Sequence, residues 1–355
     1  MDWLPAEETA STVSPCSEQA ADSPFMAGSD IAGADRRHQE EQTINRHPTT
    51  ISVVVPLFNA ERYVERCIQA LLAQDYPTSA CEIIMVDNNS KDRSAAIVRQ
   101  HRRIRLLSER EQGAYAARNR ALRHAVGTII AFTDPDCVPD RNWLKAIATG
   151  MADPVVGILV GGHQFAPRSF ALSALEAYEN VKKAFALNGA RSELHYGHAN
   201  NMAVRRSLLD EVGPFAERRR GSDTLLVQRC LERYSVDAVR FCDAMKVRHL
   251  EIDSVGAYFH KCAIYGASQR WYGQIANVRP LGMGDRWTVY RRTVRQERYS
   301  PMQAVYLLGL LAVGFLYWAW GGRAALLVGE DKRIWLTGSG RKRVSQAEGS
   351  KNLGD

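Results

Sequence analysis

From residue 51 onward, short apolar runs alternate with stretches in which apolar side chains recur every third or fourth position. Ile51-Ser-Val-Val-Val55, stopped by Pro56, predicts a buried strand. Val64, Ile68, Leu71 and Leu72 follow at helical spacing, and Tyr76-Pro77 closes that helix. Glu82-Ile-Ile-Met-Val86 predicts a second buried strand that ends at Asp87. Residues 94–101 suit a helix, 104–107 a third strand, and the Ala- and Arg-rich stretch 113–126 a helix broken by Gly127. Residues 128–133 make a fourth strand that ends at Asp134. Strands alternating with helices at this spacing imply a parallel sheet covered on both faces. Ligands of such sheets sit beyond the carboxyl ends of the strands, where Asp87 and Asp134 fall. Farther on the pattern is mixed: strands over 155–162 and 201–204, helices over 169–186 and 222–234.

The flanks differ from this core. Residues 1–49 hold no sustained period, are rich in Ser, Thr, Ala and Pro, and read as a disordered acidic tail. They lack the basic region and apolar run of a signal peptide. Residues 300–322 carry no charge and are long and apolar enough for a transmembrane or in-plane helix, with Tyr317, Trp318 and Trp320 suited to an interfacial belt. The expected organisation is the tail 1–49, one domain over 50–270, a basic juxtamembrane segment 271–299, the apolar helix 300–322 and a basic tail 323–355.

Charge changes the picture only when it is located. The chain of 355 residues has net charge +7, which invites a polyanion partner. Yet 1–49 carries −6, 50–269 carries +5 and 270–355 carries +8. The excess collars the apolar segment, where an anionic lipid surface attracts it. No basic-aromatic nucleic-acid module is evident, so nucleic acid is not an expected partner. Seven cysteines without CxxC spacing argue against a disulfide framework or zinc site, and fit reduced thiols in a cytoplasm-like compartment.

Candidate chemistry centres on Asp134-Pro-Asp136 at a strand exit. Two carboxylates one residue apart can share a hard cation, Mn²⁺ or Mg²⁺, with a substrate diphosphate; alone the motif is more often a turn. Asp87-Asn-Asn-Ser-Lys-Asp92 offers a strand-end carboxylate and a polar turn, or simply a helix cap. Arg118 and Asn119 sit on the helix before the fourth strand, where an arginine can face phosphate or make a surface ion pair. There is no GxGxxG after the first strand, no Walker A, no GxSxG and no HExxH. That leaves diphosphate binding through a metal.

Taken together, Val54-Val-Pro-Leu-Phe-Asn-Ala-Glu61, Ile84-Met-Val-Asp-Asn-Asn-Ser-Lys-Asp92, Gly113-Ala-Tyr-Ala-Ala-Arg-Asn119 and Phe132-Thr-Asp-Pro-Asp136 resemble a family 2 glycosyltransferase of the GT-A fold. The resemblance spans 51–270 and implies an α/β, Rossmann-like mixed sheet flanked by helices. It implies that Pro56, Asn59 and Asp87 line a nucleoside pocket, that Arg118 lies near the nucleotide, and that Asp134 and Asp136 form the metal-diphosphate motif. Asn88 departs from it, standing where many relatives carry a second Asp. Ala199-Asn-Asn-Met-Ala-Val-Arg-Arg206 and Glu211-Val-Gly-Pro-Phe215 resemble the acceptor side. Asp223 falls at the position of the catalytic base, with Ser222 replacing the usual Glu; a helix cap is its plain alternative. His249 resembles a late metal-shell histidine, with His260 as runner-up.

The resemblance thus implies an inverting enzyme that moves a sugar from a nucleoside-diphosphate donor to a glycan or lipid-linked hydroxyl acceptor. It would sit on the cytoplasmic face of a membrane and serve cell-envelope or polysaccharide synthesis. Two alternatives are a non-catalytic nucleotide-sugar-binding or scaffold subunit of a membrane glycan-assembly complex, and a nucleotidyltransferase, which usually shows a Gly-rich first loop.

Overall fold

The structure, a computed structural model, describes residues 49–165, 169–217, 220–272 and 278–327. Residues 1–48 of the expected tail 1–49, and most of the segment 323–355, lie outside the described residues.

Eight strands form one mixed sheet in the order β3-β2-β1-β4-β7-β6-β8-β5. The first half keeps the predicted alternation: β1 (Ile51–Leu57), α1 (Val64–Leu72), β2 (Cys81–Asp87), α2 (Ser94–Arg99), β3 (Ile104–Ser108), α3 (Ala114–Leu122) and β4 (Ile129–Thr133). These four strands are parallel. Their runs are continuously apolar because both faces are covered. Val53, Val55 and Met85 pack on one face with Val64 and Ile68 of α1. Val54, Ile84 and Phe132 pack on the other with Ala117 and Ala121 of α3.

The second half is not parallel throughout. β7 (Asn201–Arg205) runs antiparallel to β4 and to β6 (Ile158–Phe165). β8 (Val239–His249) runs parallel to β6 and antiparallel to the short β5 (Cys137–Pro139). β8 has no clean period in the sequence because a bulge between Gly161 and Gly162 skips three of its residues, moving the partner from Cys242 to Lys246. β5 is too short to leave a pattern. Both matter here, because the pair Cys137↔His249 carries the end of β8 to the end of β4.

Helices α4 (Trp143–Gly150), α5 (Phe170–Leu187), α6 (Arg206–Val212) and α7 (Ser222–Arg233) flank the sheet. α8 (Val255–Tyr272) runs across residue 270, the end of the expected domain. α9 (Met283–Gln296) lies within the expected juxtamembrane segment and packs by Val289 and Tyr290 against Leu172 and Leu175 of α5. The apolar segment is the helix α10 (Pro301–Leu327). The six cysteines among the described residues are all free.

Candidate active site

The carboxyl ends of β1, β2 and β4 lie side by side, as the parallel register requires. Pro56 pairs with Val86, and Leu57 with Asp87, so Pro56, Asn59 and Asp87 share one edge of the sheet. Asn59 holds a left-handed backbone (φ 47°). Its N–H donates to Ser90 Oγ (3.1 Å), and its Oδ1 accepts from the Lys91 N–H (2.8 Å). The Ser90 N–H donates to Asp87 Oδ1 (3.3 Å). The two loops thus fix each other and leave a polar edge.

Asn88 is buried, and its role is structural. Its amide donates to the carbonyls of Glu109 (3.0 Å) and Glu111 (2.6 Å), while its Oδ1 accepts from the Gly113 N–H (2.7 Å). A carboxylate cannot donate to those carbonyls. Asn88 therefore ties the end of β2 to the loop that launches α3.

α3 carries two site residues one turn apart. Arg118, 3% exposed, donates to Asp134 Oδ1 at 2.5 Å and lies over the Tyr115 ring, 5.2 Å from its centroid. The Tyr115 hydroxyl lies beside Asp223, at the start of α7, and draws its carboxyl pKa down. Asn119 does not join them. Its amide pairs with the backbone of Phe215 (2.8 and 3.1 Å) and holds the 213–217 loop in place.

Asp223 is tightly held. It accepts from the N–H groups of Ala199 (3.0 Å) and Thr224 (2.9 Å). Gly197 lets the chain pass close by, since a Cβ there would come 2.5 Å from the Asp223 carbonyl oxygen. Burial raises the Asp223 carboxyl above the usual carboxylate range, against the pull of the Ala199 N–H, the Tyr115 hydroxyl and Arg118. Ser222 points away, its buried hydroxyl donating to the Ala216 carbonyl.

On the β4 side, Asp136, Cys137 and His249 bring one ligand atom each to within 4.8 Å of one another. His249 Nδ1 lies 3.5 Å from Asp136 Oδ2, is buried, and has no hydrogen-bond partner among the described residues. An orphaned imidazole nitrogen beside a carboxylate suits a divalent cation. Burial and the nearby Lys261 push His249 down to about 4, so its ring is neutral and can ligate at neutral pH. Burial and Glu251 raise Asp136 to about 6, against the pull of Lys261. Lys261 of α8 donates to Glu251 Oε2 (2.8 Å). Cys137 is a weak candidate ligand, because burial and the two aspartates keep it a thiol. Asp134 is outside this group of three, paired instead with Arg118. His260 is half-buried on α8 and is also outside it.

Sequence reading missed a polar cluster beside the site. Buried Lys183 donates to the Gly161 carbonyl (3.3 Å) and to His163 Nδ1. His163 Nε2 faces Asn200 Oδ1 at 3.0 Å, and the Asn200 carbonyl accepts from Thr133 Oγ1 (3.0 Å). Asn201, next in sequence, is a buried brace: it accepts from Trp143 Nε1 and donates to the Gly162 and Met245 carbonyls. Tyr115 was legible in principle, since it precedes Arg118 by three positions on the same helix face. Lys183, His163 and Lys261 lie on elements far apart in sequence and gave no signal.

A parallel first half, a mixed second half and carboxylates at the strand ends make up a GT-A-type architecture. Residues 52–213 match the family model "Glycosyl transferase family 2". The chain is 30% identical over 170 residues to glycosyltransferase AglE of Haloferax volcanii, covering 46% of this chain and 55% of AglE. It is 32% identical over 102 residues to the poly(ribitol-phosphate) beta-N-acetylglucosaminyltransferase TarS of Staphylococcus aureus, covering 27% of this chain and 18% of TarS. The fold resembles that of the mannosyltransferase PcManGT of Pyrobaculum calidifontis, solved with GDP-Man and Mn²⁺. The TM-score is 0.55 at 19% identity, covering 83% of this chain and 92% of that one. Over residues 52–213 the chain is thus similar to glycosyl transferase family 2. Its match spans about half the length of AglE and less of TarS.

Proposed function

We propose that this protein is an inverting glycosyltransferase that moves a sugar from a nucleoside diphosphate to a hydroxyl acceptor. The reading rests on α3, where Arg118 holds Asp134 and Tyr115, one turn away, lies beside Asp223. A single helix therefore spaces the donor-side carboxylates from a candidate base.

Pro56, Asn59 and Asp87 receive the nucleoside at the ends of β1 and β2. Asp136 and His249 would hold the divalent cation, with Asp134 and Arg118 beside them; the imidazole in this set favours Mn²⁺ over Mg²⁺, which prefers oxygen ligands. When bound, the cation neutralises charge on the diphosphate leaving group. Asp223 accepts the acceptor hydroxyl's proton as that oxygen attacks the anomeric carbon from the face opposite the leaving group. Its raised pKa makes it a stronger base than an exposed aspartate, and the Ala199 and Thr224 N–H groups hold it in position. The poly(ribitol-phosphate) in the name of TarS is in keeping with a polymeric envelope acceptor, and our reading puts the reaction at the cytoplasmic face of a membrane.

The test is Asp223→Asn assayed with UDP-, GDP- and dTDP-sugars and a membrane lipid extract. Transfer should fall about 100-fold or more while donor binding persists. Transfer at the wild-type rate would remove Asp223 as the base. Full activity in the presence of a chelator would remove the cation.

A further inference from the structure

We propose that the protein docks on an anionic bilayer through α10, which lies in the plane of the interface and does not cross it. By composition the helix could span. Pro301–Ala324 has a mean hydropathy of 1.7, and 24 residues reach about 36 Å, more than the roughly 30 Å of a hydrocarbon core. Its packing makes that orientation costly.

One side of α10 is covered by protein from Ala304 to Gly321. Near its start, Tyr290 of α9 donates to the Ala304 carbonyl (3.0 Å), and the rings of Phe170 and Tyr306 lie 5.9 Å apart. Midway, Gly314 sits under Tyr258 and Phe259 of α8. Toward the end, Gly266 and Ala263 of α8 touch the backbone of Trp318 and Gly321 so closely that a Cβ at Gly266 would meet the Trp318 carbonyl oxygen at 1.9 Å. No turn from 304 to 321 is free on all sides.

A transmembrane α10 would therefore pull α8 and α9 into the hydrocarbon. The Arg286 guanidinium lies over Phe315 and Trp318, 5.2 and 5.7 Å from their centroids. Lys261 and its partner Glu251 would follow, and Asp136 behind them. Charges are excluded from that region unless paired or hydrated.

The opposite side of α10 has the character of an interfacial helix. Met302, Val305, Leu316 and Trp320 are 83, 69, 66 and 61% exposed and share one stripe. Arg291 and Arg295 on α9 and Arg298 just after it are all exposed, as is Trp287 of α9. An apolar stripe flanked by arginines matches the boundary between acyl chains and anionic headgroups. Lys261 lies on α8, the helix packed against the other side of α10, so the candidate site lies one helix from α10. That a lipid-linked acceptor follows from this rests on the proposed transferase activity; the docking itself does not.

The test uses the full chain, vesicles of phosphatidylcholine with and without phosphatidylglycerol, and a fluorophore attached singly at 302, 309 or 316. Flotation should require the anionic lipid, weaken with salt, and drop at least tenfold in Leu316→Glu and Trp320→Glu. Sugar transfer to a soluble acceptor in detergent should be unchanged in both variants. Lipid-borne quenchers should place all three fluorophores at one shallow depth. A spanning helix would separate 302 from 316 by about 21 Å along the bilayer normal, and that result overturns the proposal. So does absence of flotation, including the case in which Leu316→Glu instead dissociates a dimer, which would assign the stripe to a second copy of the chain.

Discussion

Asn88 shows how a departure from a motif can be a structural requirement. Its amide answers two carbonyls, Glu109 and Glu111, that nothing else in the loop answers through a side chain. Asn88→Asp should leave both facing a carboxylate, at about 1–3 kcal/mol for each unpaired carbonyl. A lower urea midpoint with unchanged slope would register it; an unchanged midpoint would deny the brace. Tyr115 makes a sharper case, because its hydroxyl opposes the rise in the Asp223 pKa. A base must be ionised to act, so activity falls as pH drops through its folded-state pKa. Tyr115→Phe removes a lowering influence, and the acid limb of the kcat–pH profile should move to higher pH. A limb that stays in place would show that Tyr115 is packing alone.

At the scale of elements, the first four strands were legible because burial on both faces leaves an unbroken apolar run. β8 was not, since its bulge spoils the alternation and its partner β6 is some eighty positions earlier. His249 was named only through the family resemblance, because its meeting with Asp136 depends on β8 ending beside Cys137. The contact between α8 and α10 was equally silent. It depends on Gly266 and Gly321, which look like ordinary helix glycines until the two backbones are seen to touch. Gly266→Ala should force the helices apart, at roughly 1–3 kcal/mol as for other overpacked contacts. Hydrogen exchange should then speed up in α10 and α8 and stay slow in β1, β2 and β4. Uniform protection across both regions would mean the contact is looser than its geometry.

For the molecule as a whole, the buried charge of Lys183 links the site to stability. Burial pushes its ammonium from the ordinary 10.5 down to about 7, despite the opposing pull of Glu179. Between those values the unfolded chain binds a proton that the folded chain does not, so stability should rise with pH from about 7 to about 10. Below about 7 both states are protonated, and this contribution is flat. Lys183→Met should abolish the rise, read as urea midpoints across that range. A slope that survives the substitution would place the titrating group elsewhere. The charge of the whole chain is likewise a matter of place. Its +7 is a sum over an acidic start and a basic end, and the exposed arginines before α10 are the part the fold presents beside an apolar stripe.

Local physics determined much of this protein from the sequence alone. Apolar runs buried on two faces gave β1 to β4, and strand-end carboxylates marked the edge where Asp87, Asp134 and Asp136 stand. An uncharged stretch gave α10. Tertiary structure decided the rest, because each remaining question turns on residues distant in sequence meeting in space. Pairing of β5 with β8 put His249 next to Asp136 and left Asp134 to Arg118. The turn of α3 joined Tyr115 to Asp223. Hydropathy cannot separate a spanning helix from an in-plane one, since both are long and apolar. The charged helices packed along α10 do separate them, by the cost of taking those charges out of water.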